Sequence, residues 1–443
     1  MGIDELLTRM AARDGAEALV HRGVAYGYAD LAERVQGRRA DLSGRGIAPG
    51  DVVALRSDFT PDAVAALLAT LALGGVAALV PVSAPDVDTL LAACPARGLL
   101  EAGPDGDLAW QPREGGDRHP LIESLGGSPG FVIFSSGSTG APKAVLHDLN
   151  RFMGKYGASG KALRTLAFLL FDHIAGLDTL FYTLAAGGTL VLPEGRDVNT
   201  VCRLIEAARV EVLPASPSFL NLMLLSGEHA RHDLSSLKVI TYGSEPMGES
   251  LLTRLAAAFP ECRIIQKYGT SEFGAPVSAS RGNDSTWLKF REDQARVKVV
   301  DGVLWVKAPG TMVGYLNYAQ PVMEDGWYCT GDRVEVDGEW IRILGRQSDV
   351  INVGGEKVNP ADVEAAILEV ENVLEAAVRG EANPILGQVV AATVRLTEPR
   401  DAREMTRAIR RHLRGRLAPH MMPVRIDFTD RSLVTERQKK VRA

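Results

Sequence analysis

Apolar positions along this chain recur at two different periods, and the period changes many times before about residue 345. Residues 29–45 space their apolar side chains at helical intervals among charges and predict an amphipathic helix. DVVAL at 51–55 reads as a strand, and 61–73 as an apolar helix leading into a strand at 76–80. FVIF at 131–134, TLVL at 189–192, VEVL at 210–213, KVIT at 238–241 and RIIQ at 263–266 are further short runs of strand type, most separated by helical stretches. Repeated β-α-β units predict an α/β fold whose parallel sheets are covered on both faces. Two Asp-Gly turns, in VVDGVLWV at 299–306 and VEVDGEWI at 334–341, then predict hairpins and a small, barrel-like antiparallel part. Residues 84–130, rich in Pro, Gly and charge, are expected to be irregular surface structure.

The pattern changes at Gly345-Arg346-Gln347-Ser348-Asp349, a compact polar string after the second hairpin. Beyond it, Asn359 or Pro360 can open a helix, followed by a strand at 389–396, a basic helix at 401–416 and a short strand at 424–428. This is a small α+β domain of ordinary independent size. The expected organisation is a large domain over 1–345, a hinge at 346–348 and a C-terminal domain over 349–443.

Composition narrows the function classes. A net charge of −6 over 443 residues gives no reason to invoke nucleic acid, although residues 400–443 carry 13 Lys or Arg against five Asp or Glu. That bias is a solvated face or the meeting place for an acidic partner or a phosphate-rich ligand. Cys94, Cys202, Cys262 and Cys329 form no CxxC pair, which fits a reduced cytoplasmic protein without a zinc site. The N-terminus reads as a short amphipathic helix rather than a signal peptide. Ala63–Val80 is uncharged and long enough to span a bilayer, but its alanine content and the Gly74-Gly75 break point to a buried helix, turn and strand.

Chemistry concentrates first in FSSGSTGAPK, Phe134–Lys143, where two glycines, four hydroxyl side chains and a lysine follow an apolar run. Such a loop can turn backbone N–H groups and hydroxyls onto an anion while the lysine balances its charge. Spacing excludes a Walker A loop, since Pro142 rather than Gly precedes Lys143 and Ala144 follows it. Further strings follow in order: YGTSE at 268–272, GTMVGYLN at 310–317, WYCTGD at 327–332, GRQSDVINVGGEKVNPADVE at 345–364 and TERQKKVR at 435–442. With VAYGYADLAERV and LLATLALGGVAALVPV before the loop, this series resembles the adenylate-forming superfamily over nearly the whole chain.

The resemblance implies that a carboxylate is joined to the α-phosphate of ATP, giving an acyl-adenylate and pyrophosphate, before transfer to a thiol. It assigns Ser135, Ser136, Gly137, Ser138, Thr139, Gly140 and Lys143 to the β- and γ-phosphates. Ser271 would contact the α-phosphate, Glu272 would hold Mg²⁺, and Tyr268 would lie against adenine, with Gly269, Thr270, Gly243, Ser244 and Glu245 completing the nucleotide wall. Asp332 would accept the ribose hydroxyls and Arg346 would contact the ribose. Lys439 falls on the catalytic lysine, with Gln438 in place of the usual glycine and Lys440 as an adjacent competitor. Ser348 stands at the hinge about which a mobile C-terminal domain would present first Lys439 and then Gly354-Gly355, on the thiol side.

On the acid side, FLLFDHIAGLD at 168–178 aligns in two ways. As a His-x-x-Gly motif of acyl- and aryl-CoA ligases it places His173 in the acid pocket with catalytic importance. As a Phe-Asp motif of amino-acid-activating domains it gives Asp172 an α-ammonium group to hold. The former also accounts for Gly176, and Gly243, Gly274 and Ala275 would form other pocket walls. The expected partners are ATP, Mg²⁺, a small carboxylic acid, and coenzyme A or the phosphopantetheine of an acidic carrier protein acting in trans. Activation for another nucleophile and nucleotide binding without turnover are the rival readings.

Overall fold

The computed structural model describes residues 1–103, 106–135, 142–156, 160–321 and 323–433. Among these residues the strands assemble into four sheets. Val76–Val80 and Val52–Arg56 form the parallel centre of one, flanked by Gly130–Ser135 and Gly98–Ala102. Lys143–Asp148 and Leu108–Pro112 extend it antiparallel on its two sides. In a second sheet, Arg263–Gln266, Val239–Tyr242, Val212–Ala215, Arg164–Leu166, Thr189–Leu192 and Glu17–His21 run parallel, and Val24–Gly27 adds an antiparallel edge.

The uncharged run at 63–80 becomes a core element. Thr60 caps helix Pro61–Ala72 by accepting from Ala63 N at 3.0 Å, and Pro61 sits in the first turn, where its missing N–H costs nothing. Residues 61–71 of this helix are buried except Asp62, as a helix apolar on all sides requires. Gly74, at φ +72, turns the chain into strand Val76–Val80. No helix among the described residues is long and apolar enough to cross a membrane.

The expectation for 84–130 needs correction. Helix Val87–Leu91, strands Gly98–Ala102 and Leu108–Pro112, and the short helix Pro120–Glu123 all lie within it. Leu99 and Leu100 are buried because Gly98–Ala102 pairs parallel with Val52–Arg56. A five-residue strand is masked when composition is averaged over the polar loops around it. The strand placed at 210–213 lies instead at Val212–Ala215, after Arg209 ends the preceding helix in a left-handed conformation.

The barrel-like part is an antiparallel sheet in the order Ser278–Ser280, Leu288–Phe290, Trp340–Arg346, Trp327–Asp337, Val303–Lys307 and Arg296–Val300, with Met323–Glu324 beside Trp327–Asp337. Both Asp-Gly turns lie where the sequence placed them. After the 3-10 turn Gln347–Asp349 comes the α+β portion, whose central hairpin Val373–Asn383 and Gly387–Leu396 packs on helices Pro360–Leu368 and Ala402–Leu413. All four cysteines are free thiols, three of them buried.

Candidate active site

The wall that the resemblance assigns to the nucleotide is built where strand Arg263–Gln266 ends and YGTSE begins. Tyr268 donates from its hydroxyl to Asp332 Oδ2 at 2.5 Å, which joins two motifs 64 residues apart. Burial first, and the Asp332 carboxylate second, raise the Tyr268 hydroxyl well above its ordinary range, so it remains a donor. Asp332 is itself buried, and that burial raises its carboxyl pKa against the opposing pull of Tyr268 and Arg346. Arg346 Nε stands 3.7 Å from Asp332 Oδ1, with its side chain 61% exposed, so the pair alone contributes little to stability. Gly269 is required by packing, because a Cβ there would come within 2.2 Å of Gly274 O. Thr270 and Gly274 exchange backbone hydrogen bonds of 3.1 and 3.0 Å, and Thr270 Oγ1 accepts from Glu272 N.

Strand Lys143–Asp148 returns antiparallel to Gly130–Ser135, so Ser135 and Lys143 face each other at the two ends of the Ser/Thr/Gly loop. Among the described residues the chain leaves this loop as strand Lys143–Asp148 rather than as a helix, which agrees with the exclusion of a Walker A arrangement. Ser136, Gly137, Ser138, Thr139 and Gly140 lie outside the described residues. Asn317 clamps the loop's exit: its Oδ1 accepts from Ala144 N at 2.8 Å and its Nδ2 donates to Pro142 O at 2.9 Å. Lys143 Nζ rests over the rings of Tyr318 and Tyr315, at 4.3 and 5.0 Å. Tyr315 in turn donates to Glu272 Oε1 at 2.8 Å.

Tyr315, Asn317 and His147 were not singled out from sequence. His147 is fully buried, stacks on Phe131 at 4.8 Å, and its Nε2 lies 2.7 Å from Ser271 O. Desolvation holds its pKa down to about 4, so it is a neutral imidazole that donates from Nε2 and fixes the backbone of YGTSE. The GYLN string offered a signal for the first two residues. A histidine in an apolar strand offered none.

A separate cavity of about 360 Å³ opens beside this wall. Its floor is the parallel sheet: the register rows Val212–Val239–Arg263 and Pro214–Thr241–Ile265 face it, while Leu213, Ile240 and Ile264 enter the core on the other side. One face of helix Ile174–Ala186 forms the roof, with Asp178, Thr179 and Tyr182 exposed to the cavity. His173 caps this helix, its Nδ1 accepting from Ala175 N at 3.3 Å, and lines the cavity. Gly176 lets the first turn approach the chain, since a Cβ would meet Leu170 O at 1.9 Å.

The lining takes in His173, Gly243, Ser244, Gly269 and Ala275 but neither Asp172 nor Gly274. Asp172 is buried away from it, and the Cβ position of Gly274, at φ +74, faces Phe152. Lys155, Lys267 and Asp178, unnoticed in the sequence, are the interior charges. Glu245 accepts from Ser218 Oγ at 2.6 Å and lies instead in a cleft of about 510 Å³ between the large body and the C-terminal portion. Across that cleft's edge Asn359 Nδ2 donates to Leu344 O at 2.5 Å.

Ser348 occupies the 3-10 turn, its Oγ donating to Asp349 Oδ1 at 3.0 Å. Gly354 and Gly355, at φ +60 and +98, make the tight turn between Ile351–Val353 and Glu356–Val358. Both are exposed and line neither cavity, so this arrangement does not bring them to the nucleotide wall. Lys439, with Gln438 and Lys440, lies outside the described residues.

Comparison with known proteins places this constellation. The family model described as AMP-binding enzyme matches residues 7–316, and the one described as AMP-binding enzyme C-terminal domain matches 362–440. The chain belongs to the AMP-binding enzyme family. It is an ATP-dependent, AMP-forming ligase, which sets aside the reading of nucleotide binding without turnover. Indoleacetate–CoA ligase of Aromatoleum aromaticum is 28% identical, over 91% of this chain and 89% of that enzyme. The structure of the anthranilate CoA ligase AuaEII with anthranoyl-AMP matches at TM-score 0.86 and 21% identity, over 100% of this chain and 96% of that one. The amide bond synthetase McbA from Marinactinospora thermotolerans matches at TM-score 0.77 and 25% identity, over 99% and 98%. The ligase's Ser348 falls in the interval between its two family matches.

Proposed function

We propose that this ligase joins an aromatic or other small carboxylic acid to the α-phosphate of ATP and passes the acyl group to the thiol of coenzyme A. The observation that carries this reading is the cavity between sheet and helix, opening beside the wall made by Tyr268 and Asp332 at the C-terminal ends of parallel strands. Its volume of about 360 Å³ and its floor of Val212, Val239, Pro214, Thr241 and Ile265 suit a flat, largely apolar body. The curated indoleacetate enzyme is named for such an acid.

In this reading Tyr268 and Asp332 hold adenosine, and the loop between Ser135 and Lys143 receives the outer phosphates. Ser271 meets the α-phosphate, its backbone held by His147. Lys439 bridges the incoming carboxylate and the α-phosphate, offsetting charge where two anions meet. Glu272 presents a hard oxygen donor steadied by Tyr315, and the described residues contain no cluster of three metal-ligating side chains. Magnesium binding through one carboxylate and the triphosphate oxygens fits that donor set, and the ion would supply charge neutralisation there. Rotation about Ser348 would replace the Lys439 segment with the Gly354-Gly355 turn for thiol transfer.

An amino acid fits the cavity less well. Asp178 is the acidic side chain of its lining and is already taken by Lys155 and Tyr156, so an α-ammonium would enter beside like charge. Two like charges about 4 Å apart repel by about 4 kcal/mol at an effective dielectric near 20. A second reading for the acceptor, an amine, is favoured by the likeness to the amide bond synthetase. ATP–pyrophosphate exchange over benzoates, short fatty acids and amino acids tests activation, and product analysis with and without coenzyme A tests the acceptor. Exchange with amino acids alone would overturn the acid assignment. Acyl-adenylate that turns over only with an amine would overturn the thiol.

A further inference from the structure

Edge strand Arg263–Gln266 points Arg263 and Ile265 into the acid cavity, and the alternation carries through to Lys267, which lines the same wall. Facing it from helix Ile174–Ala186 is Asp178, the acid of the cavity lining. Asp178 is spoken for: Lys155 Nζ pairs with its Oδ1, and the Tyr156 hydroxyl donates to the same oxygen at 2.5 Å. Lys155 also donates to Ala275 O at 2.9 Å, which locks the pair in place. Lys267 makes no side-chain hydrogen bond or ion pair among the described residues, although it is partly withdrawn from solvent. The protein packed round it lowers its pKa, with Asp178 acting the other way and Lys155 adding to the fall.

Counting the interior, two lysines face one aspartate, and Lys161 and Arg263, both exposed, add the same sign to the lining. The reacting carboxylate is committed to the nucleotide side. An acid with no other charge would therefore shut Lys267 into the cavity without a counter-ion, the costly state for an ammonium group. We propose that the acid substrate carries a second carboxylate and that Lys267 receives it inside the cavity. The inference rests on the reading of this cavity as the acid site. It makes Lys267 a specificity-determining residue, placed by the position immediately before Tyr268.

The test is ATP–pyrophosphate exchange by the full chain, using aromatic and aliphatic diacids, their monomethyl esters, their half-amides and the parent monoacids. Each diacid is expected to exceed its half-ester and half-amide by roughly tenfold or more in kcat/KM, the scale of one charge-assisted contact. Lys267→Met should lower kcat/KM for the diacid by roughly tenfold and bring the diacid to half-ester ratio to about one, mainly through KM. Lys267→Arg, which keeps the charge, should keep the preference, and thermal melts of both variants show whether they fold. Equal use of diacid and half-amide overturns the proposal, because the group would then be a neutral acceptor. An equal loss for all acids in Lys267→Met also overturns it, placing Lys267 at the reacting carboxylate. Silence with diacids but exchange with monoacids overturns the second carboxylate and leaves acid activation standing, whereas silence with every acid removes both.

Discussion

Lys267 and Tyr268 are adjacent in the chain and face different chemistries. Tyr268 points toward the antiparallel sheet, where its hydroxyl and Asp332 form a closed, charge-assisted hydrogen bond. Lys267 points into the acid cavity, where its ammonium has no partner among the described residues. Alternation along an extended backbone sends neighbours to opposite sides, so the six residues Arg263–Tyr268 of edge strand and loop serve two compartments at once. The Tyr268 side is self-satisfied, since its hydroxyl and the Asp332 carboxylate partner each other. The acid side carries uncompensated charge whose counter-ion the substrate must bring.

The largest effect on this contrast is expected from Lys439→Ala. Adenylate formation, followed by pyrophosphate exchange, should fall by roughly a hundredfold or more, while transfer from preformed acyl-adenylate falls far less. Equal losses in the two half-reactions would remove Lys439 from its assigned step.

Next comes Asp332→Asn, which keeps shape but weakens the acceptor for Tyr268 and for ribose. KM for ATP should rise by roughly tenfold, with KM for the acid nearly constant, since the acid cavity does not include Asp332. A matching rise in KM for the acid would show that the two compartments are not separable.

His147 tests the footing of the nucleotide side by stability rather than rate. Its pKa is held at about 4 in the folded chain by burial, below the ordinary value of 6.5. The unfolded chain therefore binds a proton first on acidification. The stability from this group is fully present above pH 6.5, declines as the pH falls, and is lost by about pH 4. The difference amounts to about 3 kcal/mol from a shift of that size. Denaturant midpoints between pH 7 and 4 should show a shallower acid decline for His147→Gln than for the unchanged chain. Identical declines would mean that His147 is solvated.

The smallest effect belongs to Asp172→Asn. Because Asp172 lies outside the cavity lining, KM for acids should change by less than roughly twofold. Loss of an amino-acid-dependent exchange signal in this variant would restore the Phe-Asp alignment and break the present account of the acid side.

Much of the fold was legible because its elements are strongly patterned. TLVL at 189–192 and RIIQ at 263–266 are strands over those very residues, and the uncharged run at 63–80 resolves into helix, turn and strand. Gly98–Ala102 was missed because five strand residues stand among polar loops and are recognised only once Val52–Arg56 lies alongside. On the nucleotide side the ordered motifs brought Tyr268, Asp332, Arg346 and Glu272 into view. The contacts around them, from His147 to Ser271, from Tyr315 to Glu272 and from Asn317 to the loop exit, depend on Gly314–Tyr315 pairing with Lys143–Asp148, more than a hundred residues away in the chain.

By itself, then, the sequence determined the two-part α/β architecture, because turn residues and strand periodicity are local properties, and the order of its motifs carried the resemblance that implies adenylate-forming chemistry. Only the tertiary structure decided that Asp172 lies outside the cavity lining, that Asp178 is consumed by Lys155 and Tyr156, and that Lys267 has no partner among the described residues. Charge pairing depends on distance through a cavity closed by elements far apart in the chain, and no local pattern encodes that distance.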